Sequence, residues 1–285
     1  MKTKILYSLI LSGLFIFFAC KKELNWKVGN TDSRIVVEAT FTDEYKKQSV
    51  FVSQTTDFYS EKNNVALTDA QVSITDGVNT YLFNHIGNGE YQSIDSVSAM
   101  MGKTYTLNLN LNTPINEQTK YTATSTMKGY FRLDTVFCQI LGWEELTEQD
   151  TFTELILGVY GQEAKSTSDY YIFNVKKNGD DAKMKFDEMA AFSDEIDNGM
   201  TEFSFTTYIK GKLNAGDTIN VTILSVSDKY LDYLNEITQE IDRVDPFGMM
   251  GPPANPKGNI SNEGLGFFNV SAVSKIEHIV IEGIR

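Results

Sequence analysis

The chain has 285 residues, with 38 acidic against 25 basic side chains, two histidines and two cysteines, and a formal net charge of −13. So acidic a chain repels phosphate backbones, which argues against nucleic acid as a partner. Aromatic residues at 12% and charged residues at 22% describe a folded chain rather than a disordered one, long enough for one large or two ordinary domains.

At the N-terminus, Lys2 and Lys4 precede an almost unbroken apolar run from Ile5 to Ala19. The run is shorter than the roughly 20 apolar residues that cross a bilayer, and it has the form of a secretory signal. It ends in Phe17-Phe18-Ala19-Cys20, a small residue directly before a cysteine, and this resembles the lipobox of a bacterial lipoprotein. In that chemistry the Cys20 thiolate takes a diacylglycerol, the chain is cut before it, and the new amine is acylated. Residues 1–19 are then signal peptide, and 20–32 a lipidated tether whose Lys21-Lys22-Glu23 resembles the charged tags of surface-exposed lipoproteins of the Bacteroidota. With Cys20 lipidated, Cys138 has no partner within the chain, so neither a disulfide nor a cysteine metal site is expected.

From Arg34 the pattern is β. "RIVVEATF" alternates through Ile35, Val37 and Ala39, "SVFVSQT" follows with Val50 and Val52, and "DAQVSITDG" runs through Val72 and Ile74 into an Asp76-Gly77 turn. Asn88-Gly89 marks a second turn. In "KTYTLNLNLN", Tyr105, Leu107, Leu109 and Leu111 share one face. Short strands at a spacing of about 8–12 residues imply an immunoglobulin-like β-sandwich over 33–127.

Residues 128–285 read as a β-rich second domain with one inserted helix. "YFRLDTVFCQI", "FTELILGVYG", "DYYIFNVKKNG", "EFSFTTYIKG" and "DTINVTILSVS" are its strand candidates, with Asn178-Gly179 as a turn. Ser227 is placed to cap a helix near 228–242, whose Tyr230, Leu234, Ile237 and Ile241 fall on one face. A Pro/Gly/Met loop, 245–258, follows, and "LGFFNVSAVSKIEHIVIEG" is the last strand region.

The order of a lipobox, "RIVVEATF", "ALTDAQVSITDG", "NGEYQS", "GKTYTLNL", "YLDYLNEI", "DPF" and "NISNEGLGFFNVSAVS" resembles a Bacteroidota outer-membrane lipoprotein family catalogued as domain of unknown function 4249. Where members of that family read "NIEGGLGIFG", this chain lacks one glycine, around Asn262–Glu263. The resemblance implies an outer-membrane lipoprotein encoded near TonB-dependent receptors, and it implies no catalytic residue.

The residues themselves point to little chemistry. No G-x-S-x-G, H-E-x-x-H, Walker A or Cys-x-x-Cys pattern occurs. His85 and His278 lack evident partners, and no acidic segment has EF-hand spacing. No catalytic residue, metal or cofactor is therefore expected. The loop 245–258 presents Phe247, Met249 and Met250, residue types that suit a docking surface. The chain reads as a non-enzymatic lipoprotein, anchored through Cys20 in the outer membrane and facing the cell exterior. It would serve as accessory subunit of a TonB-dependent transporter or a similar β-barrel complex. A freestanding glycan- or protein-binding module is the alternative, which exposed Trp or Tyr platforms would support; the tryptophans are Trp26, in the tether, and Trp143. A hydrolase with an unrecognised carboxylate pair is the third reading.

Overall fold

Strict alternation of apolar and polar residues leaves a chain little choice but to extend, with one side of each strand buried. In a computed structural model this is what the sequence does. The structure describes residues 33–56, 64–147, 150–163, 170–181, 191–193, 202–241 and 254–280. Cys20, the signal segment, the tether, Phe247, Met249 and Met250 lie outside the described residues.

The first eight strands are β1 (Ile35–Thr42), β2 (Ser49–Gln54), β3 (Val65–Ala66), β4 (Gln71–Thr75), β5 (Thr80–Gly87), β6 (Glu90–Ser93), β7 (Thr104–Ile115) and β8 (Gln118–Thr126). Then come β9 (Phe131–Thr147), β10 (Asp150–Glu163), β11 (Tyr170–Lys177), β12 (Asp180–Asp181), β13 (Ala191–Ser193), β14 (Glu202–Lys210) and β15 (Thr218–Val226). Helix α1 (Asp228–Ile241) and β16 (Leu265–Ile279) complete the described elements. The fold is mainly β. Among the described residues no helix is long and apolar enough to cross a membrane.

The expected turns fall where their residues require. Asp76 Oδ1 accepts hydrogen bonds from the Val78 and Asn79 amides at 3.0 and 2.6 Å and closes the β4–β5 hairpin. Asn88 and Asn178, each followed by a glycine, sit at φ 50° and 52°, and the two Asn-Gly pairs turn β5 into β6 and β11 into β12.

Among the described residues, one large sheet has the order β12-β11-β15-β16-β1-β2-β6-β5-β4-β7-β8, with β13 added beside β11 and β3 beside β2; a small sheet has the order β14-β10-β9. The large sheet folds over itself, so that Ile35 and Val37 of β1, Val50 and Val52 of β2 and Phe268 of β16 share a core with Val72 and Ile74 of β4, Leu107 and Leu109 of β7 and Tyr121 of β8. This is the sandwich expected of the N-terminal half. A second core gathers Leu157, Val159, Tyr171, Phe173, Ile209, Val221 and Ile223.

The sequence reading divides the chain at 127/128. In the structure the apolar clusters change over between Met127 and Phe131, but the division does not follow chain order. Phe268, Val270 and Ala272 of the last strand complete the first core, while Val280, just beyond that strand, joins the second. The described residues, which begin at Ser33, belong to one folded unit.

The parallel pairing of β1 with β16 has a tight requirement at its start. Gly266 lies opposite Val37 at φ 92°, and a Cβ on it would stand 2.0 Å from the Val37 carbonyl oxygen. Just before it, Asn262 and Glu263 hold φ of 54° and 58° where the resembled family carries a glycine. Asn262 fits, since asparagine tolerates this region and its Nδ2 donates to the Lys120 carbonyl at 2.7 Å. Glu263 contributes its backbone carbonyl, which accepts from Arg34 Nε at 2.6 Å. A glycine there would keep that bond and remove the left-handed strain. Glu263→Gly is therefore expected to raise unfolding free energy by about 1 kcal/mol, whereas Gly266→Ala breaks the β1–β16 register and lowers it by more. Chemical denaturation of the two variants checks both signs.

Candidate functional site

Helix α1 begins as its sequence dictates. Ser227 is the cap: its Oγ accepts from the Tyr230 amide at 3.2 Å, and its carbonyl accepts from the Leu231 amide at 3.0 Å. Asp228 lies in the first turn, where the helix dipole favours it, and pairs with Lys128 at 3.2 Å. Further along, Glu236 accepts from the Lys257 amide at 2.6 Å.

Yet no residue of α1 is fully buried. The helix stands off the sheet on aromatic side chains. The Tyr230 and Tyr233 rings lie 5.0 and 5.2 Å from that of Phe267 on β16, inclined to it by 52° and 38°, and 6.2 Å from each other at 21°. Of the face expected from the sequence, Tyr230, Leu234 and Ile237 point to the sheet, but Ile241 is 69% exposed. Tyr233, three residues beyond Tyr230, lines the cleft as well, a position that the sequence reading did not include in that face.

Between helix and sheet runs a cleft of about 660 Å³. Its floor is the outward phase of three neighbouring strands. Glu38 of β1 pairs with Phe51 of β2 on one side and with Phe267 of β16 on the other, and the next row sets Thr40 beside Asn269. Lys46, Lys47 and Gln48, from the β1–β2 connection, close one end. Gln48 makes that end rigid: its Nε2 donates to the carbonyls of Glu44 at 2.9 Å and Val97 at 3.0 Å, and its Oε1 accepts from the Thr42 amide at 3.2 Å. A second hollow of about 490 Å³ shares Glu38 and Phe51 with the first and reaches Ser53, Asn64 and Asn88. The volume of the cleft under α1 suits a small-molecule ligand.

Burial raises the phenol pKa values of Tyr230 and Tyr233, and the Glu38 charge pushes in the same direction, against a lowering hydrogen bond to Thr40 at Tyr230. Of the described residues lining the cleft, Glu38 is the one carboxylate, so the pair that glycoside hydrolysis needs is not assembled there. His85 is exposed and rests against Tyr91 at 5.2 Å, while His278 pairs across the ladder with Ile219. No group of three His, Cys, Asp or Glu side chains among the described residues is placed to hold a metal ion. Cys138 is buried in the second core, and burial pushes its thiol up to about 11, which makes it a packed apolar side chain rather than a nucleophile. Trp26 and the Trp143 side chain lie outside the described residues. Tyr45, Tyr130 and Tyr160 are exposed one by one on other parts of the surface, and Tyr230 and Tyr233 of α1 are the two tyrosines that line the cleft.

Sequence reasoning did not place Glu38, Phe51 or Phe267 at a site. A signal existed in "VFV", where Phe51 occupies the polar phase between two buried valines and is 48% exposed.

Two expectations follow from this geometry. Ser227→Ala should cost about 1 kcal/mol of stability through the lost cap, read by thermal unfolding. The raised phenols stabilise the fold below the ordinary tyrosine pKa of 10.0, and that contribution is lost as pH rises through their higher folded values. Glu38→Gln, by removing the neighbouring charge, should let both phenols ionise at lower pH, seen as a downward shift in part of the tyrosinate absorbance titration that shrinks when Tyr230→Phe or Tyr233→Phe is added and vanishes when both are.

A solved structure, the crystal structure of CBD12 from CALX1.2, aligns over 85% of this chain and 100% of its own at 10% identity, with a TM-score of 0.17. A likeness so slight carries no argument about fold or ligand. No curated protein matches the sequence. A family model does, over residues 21–277: the chain belongs to the family described as domain of unknown function, DUF4249.

Proposed function

We propose that this protein is a non-enzymatic, lipid-anchored lipoprotein of a Bacteroidota outer membrane, facing the cell exterior. It binds ligand in the cleft under α1 and serves as accessory subunit of a TonB-dependent transporter or a similar β-barrel. The observation that carries the binding role is the cleft itself: a rigid sheet face and a helix held at its cap, at Phe267 and at Lys257, enclosing aromatic rings, hydroxyls and one carboxylate. Such groups recognise and orient a small ligand. Support for the anchor is the Ile5–Ala19 run ending at Cys20, and support for a docking surface is the sequence of the 245–258 loop, with Phe247, Met249 and Met250.

Cys20→Ser should move the protein from the membrane fraction to the soluble fraction. Capture through a C-terminal tag, from outer membranes solubilised in mild detergent, should recover a large β-barrel in about equal amount. Recovery of the lipoprotein alone in several detergents would replace the accessory role with that of a freestanding glycan- or protein-binding module. Replacing Phe247, Met249 and Met250 together by alanine should weaken recovery of the barrel while leaving thermal unfolding unchanged. Unchanged recovery would remove that loop from the interface.

A further inference from the structure

The side chains of the cleft specify more than a generic ligand. Phe51, Glu38 and Phe267 form one row across β2, β1 and β16, so a carboxylate lies between two rings on the sheet, and Tyr230 and Tyr233 stand over it from α1. The two tyrosines are nearly parallel to each other and inclined to Phe267. A flat sugar stacks on one open platform, whereas inclined rings make walls that suit a rounded group. Among the described residues the Glu38 carboxylate has neither an ion pair nor a hydrogen bond, and it is solvent-accessible. An exposed charge without a partner, set among aromatic side chains, attracts a cation with a low cost of desolvation. The net charge of −13 adds to the field.

The other charged groups of the cleft limit what else the ligand carries. Lys46 is engaged by Glu44 at 2.6 Å. Lys47 is exposed in the β1–β2 connection, beyond the last paired row, Ala39 with Val50. One cationic group is thus accommodated at the aromatic end, and a neutral or anionic remainder at the lysine end.

We propose that the cleft under α1 recognises a substituted ammonium group, seated against Glu38 and enclosed by Phe51, Tyr230, Tyr233 and Phe267. This inference rests on the ligand-binding reading above and names the chemical class of the ligand. The raised phenol pKa values of Tyr230 and Tyr233 agree with it, since neutral rings are retained across the physiological range.

The test uses the full lipidated chain in a non-ionic detergent and two probes. One is choline; the other is 3,3-dimethylbutan-1-ol, its uncharged carbon isostere. Ligand-observed magnetic resonance titrations should show choline binding on the order of tenfold more tightly than the isostere. Glu38→Gln should abolish that preference, and Phe51→Ala should weaken choline binding. Both positions are exposed strand sites, and thermal unfolding confirms that the variants fold. Equal binding of the two probes, or a preference that survives Glu38→Gln, overturns the ammonium assignment while leaving a ligand-binding cleft. Silence of both probes overturns the assignment as well. The transporter role stands or falls separately on recovery of the barrel.

Discussion

The last strand pairs with two different neighbours in succession, and the rest of the structure depends on that exchange. Residues Leu265 to Ser271 run parallel to β1, and Ala272 to Ile279 run antiparallel to β15. A parallel partner cannot be reached by a hairpin, so β1 waits for the whole intervening chain before its ladder is complete. At the point of exchange the ladder would lose a partner. Asp43, one residue past β1, supplies it: its Oδ1 accepts from the Val273 amide at 2.8 Å, and its own amide donates to the Ser271 carbonyl at 3.3 Å. Burial raises the Asp43 pKa despite that bond. The parallel pairing also argues for long-range contacts late in folding, since β1 and β16 lie at opposite ends of the described chain.

That same exchange builds the cleft. Because β16 is the neighbour of β1, Phe267 arrives beside Glu38, and the adjacent Phe268 turns inward to the core. The dipeptide Phe267-Phe268 thus serves both faces of the sheet, one ring for stability and one for the site. Helix α1 leaves β15 directly above this row, and its tyrosines find Phe267 rather than a core. A helix of this amphipathic character ordinarily buries its apolar stripe. Here Leu234 and Ile237 are held over a gap instead, which costs stability and makes a pocket.

Much of this was legible in the sequence, and the reasons are local. The Asp76-Gly77 and Asn-Gly turns, the alternation in "KTYTLNLNLN" and the Ser227 cap each depend on a few adjacent residues, and each appears in the structure. The partition into two units contiguous in sequence does not describe the strand pairing, because no local pattern states that residue 265 will lie beside residue 36. Ile241 was placed on the apolar face by periodicity alone. It lies in the final turn of the helix, where it is exposed rather than turned to the sheet. The site was illegible for the same reason as the pairing. Glu38 reads as an ordinary solvent-phase residue of an alternating strand, and it acquires meaning only from Phe51 and Phe267, one on each neighbouring strand.

The arrangement explains how one chain combines a stable body with an adaptable surface. Core residues of the sandwich such as Val37, Val50 and Phe268 point inward, opposite in phase to Glu38, Phe51 and Phe267. Period-two alternation means that the outward set can change without touching the inward one. The backbone demand is confined to a few positions, such as Gly266 under the Val37 carbonyl and Gln48 in the hairpin. The lining of the cleft is therefore set by which side chains occupy the outward phase of three strands and one face of a propped helix. A substitution in that outward set leaves the core of the sandwich untouched, while the pairing of β1 with β16 that brings the set together depends on the close approach of Gly266 to the Val37 carbonyl.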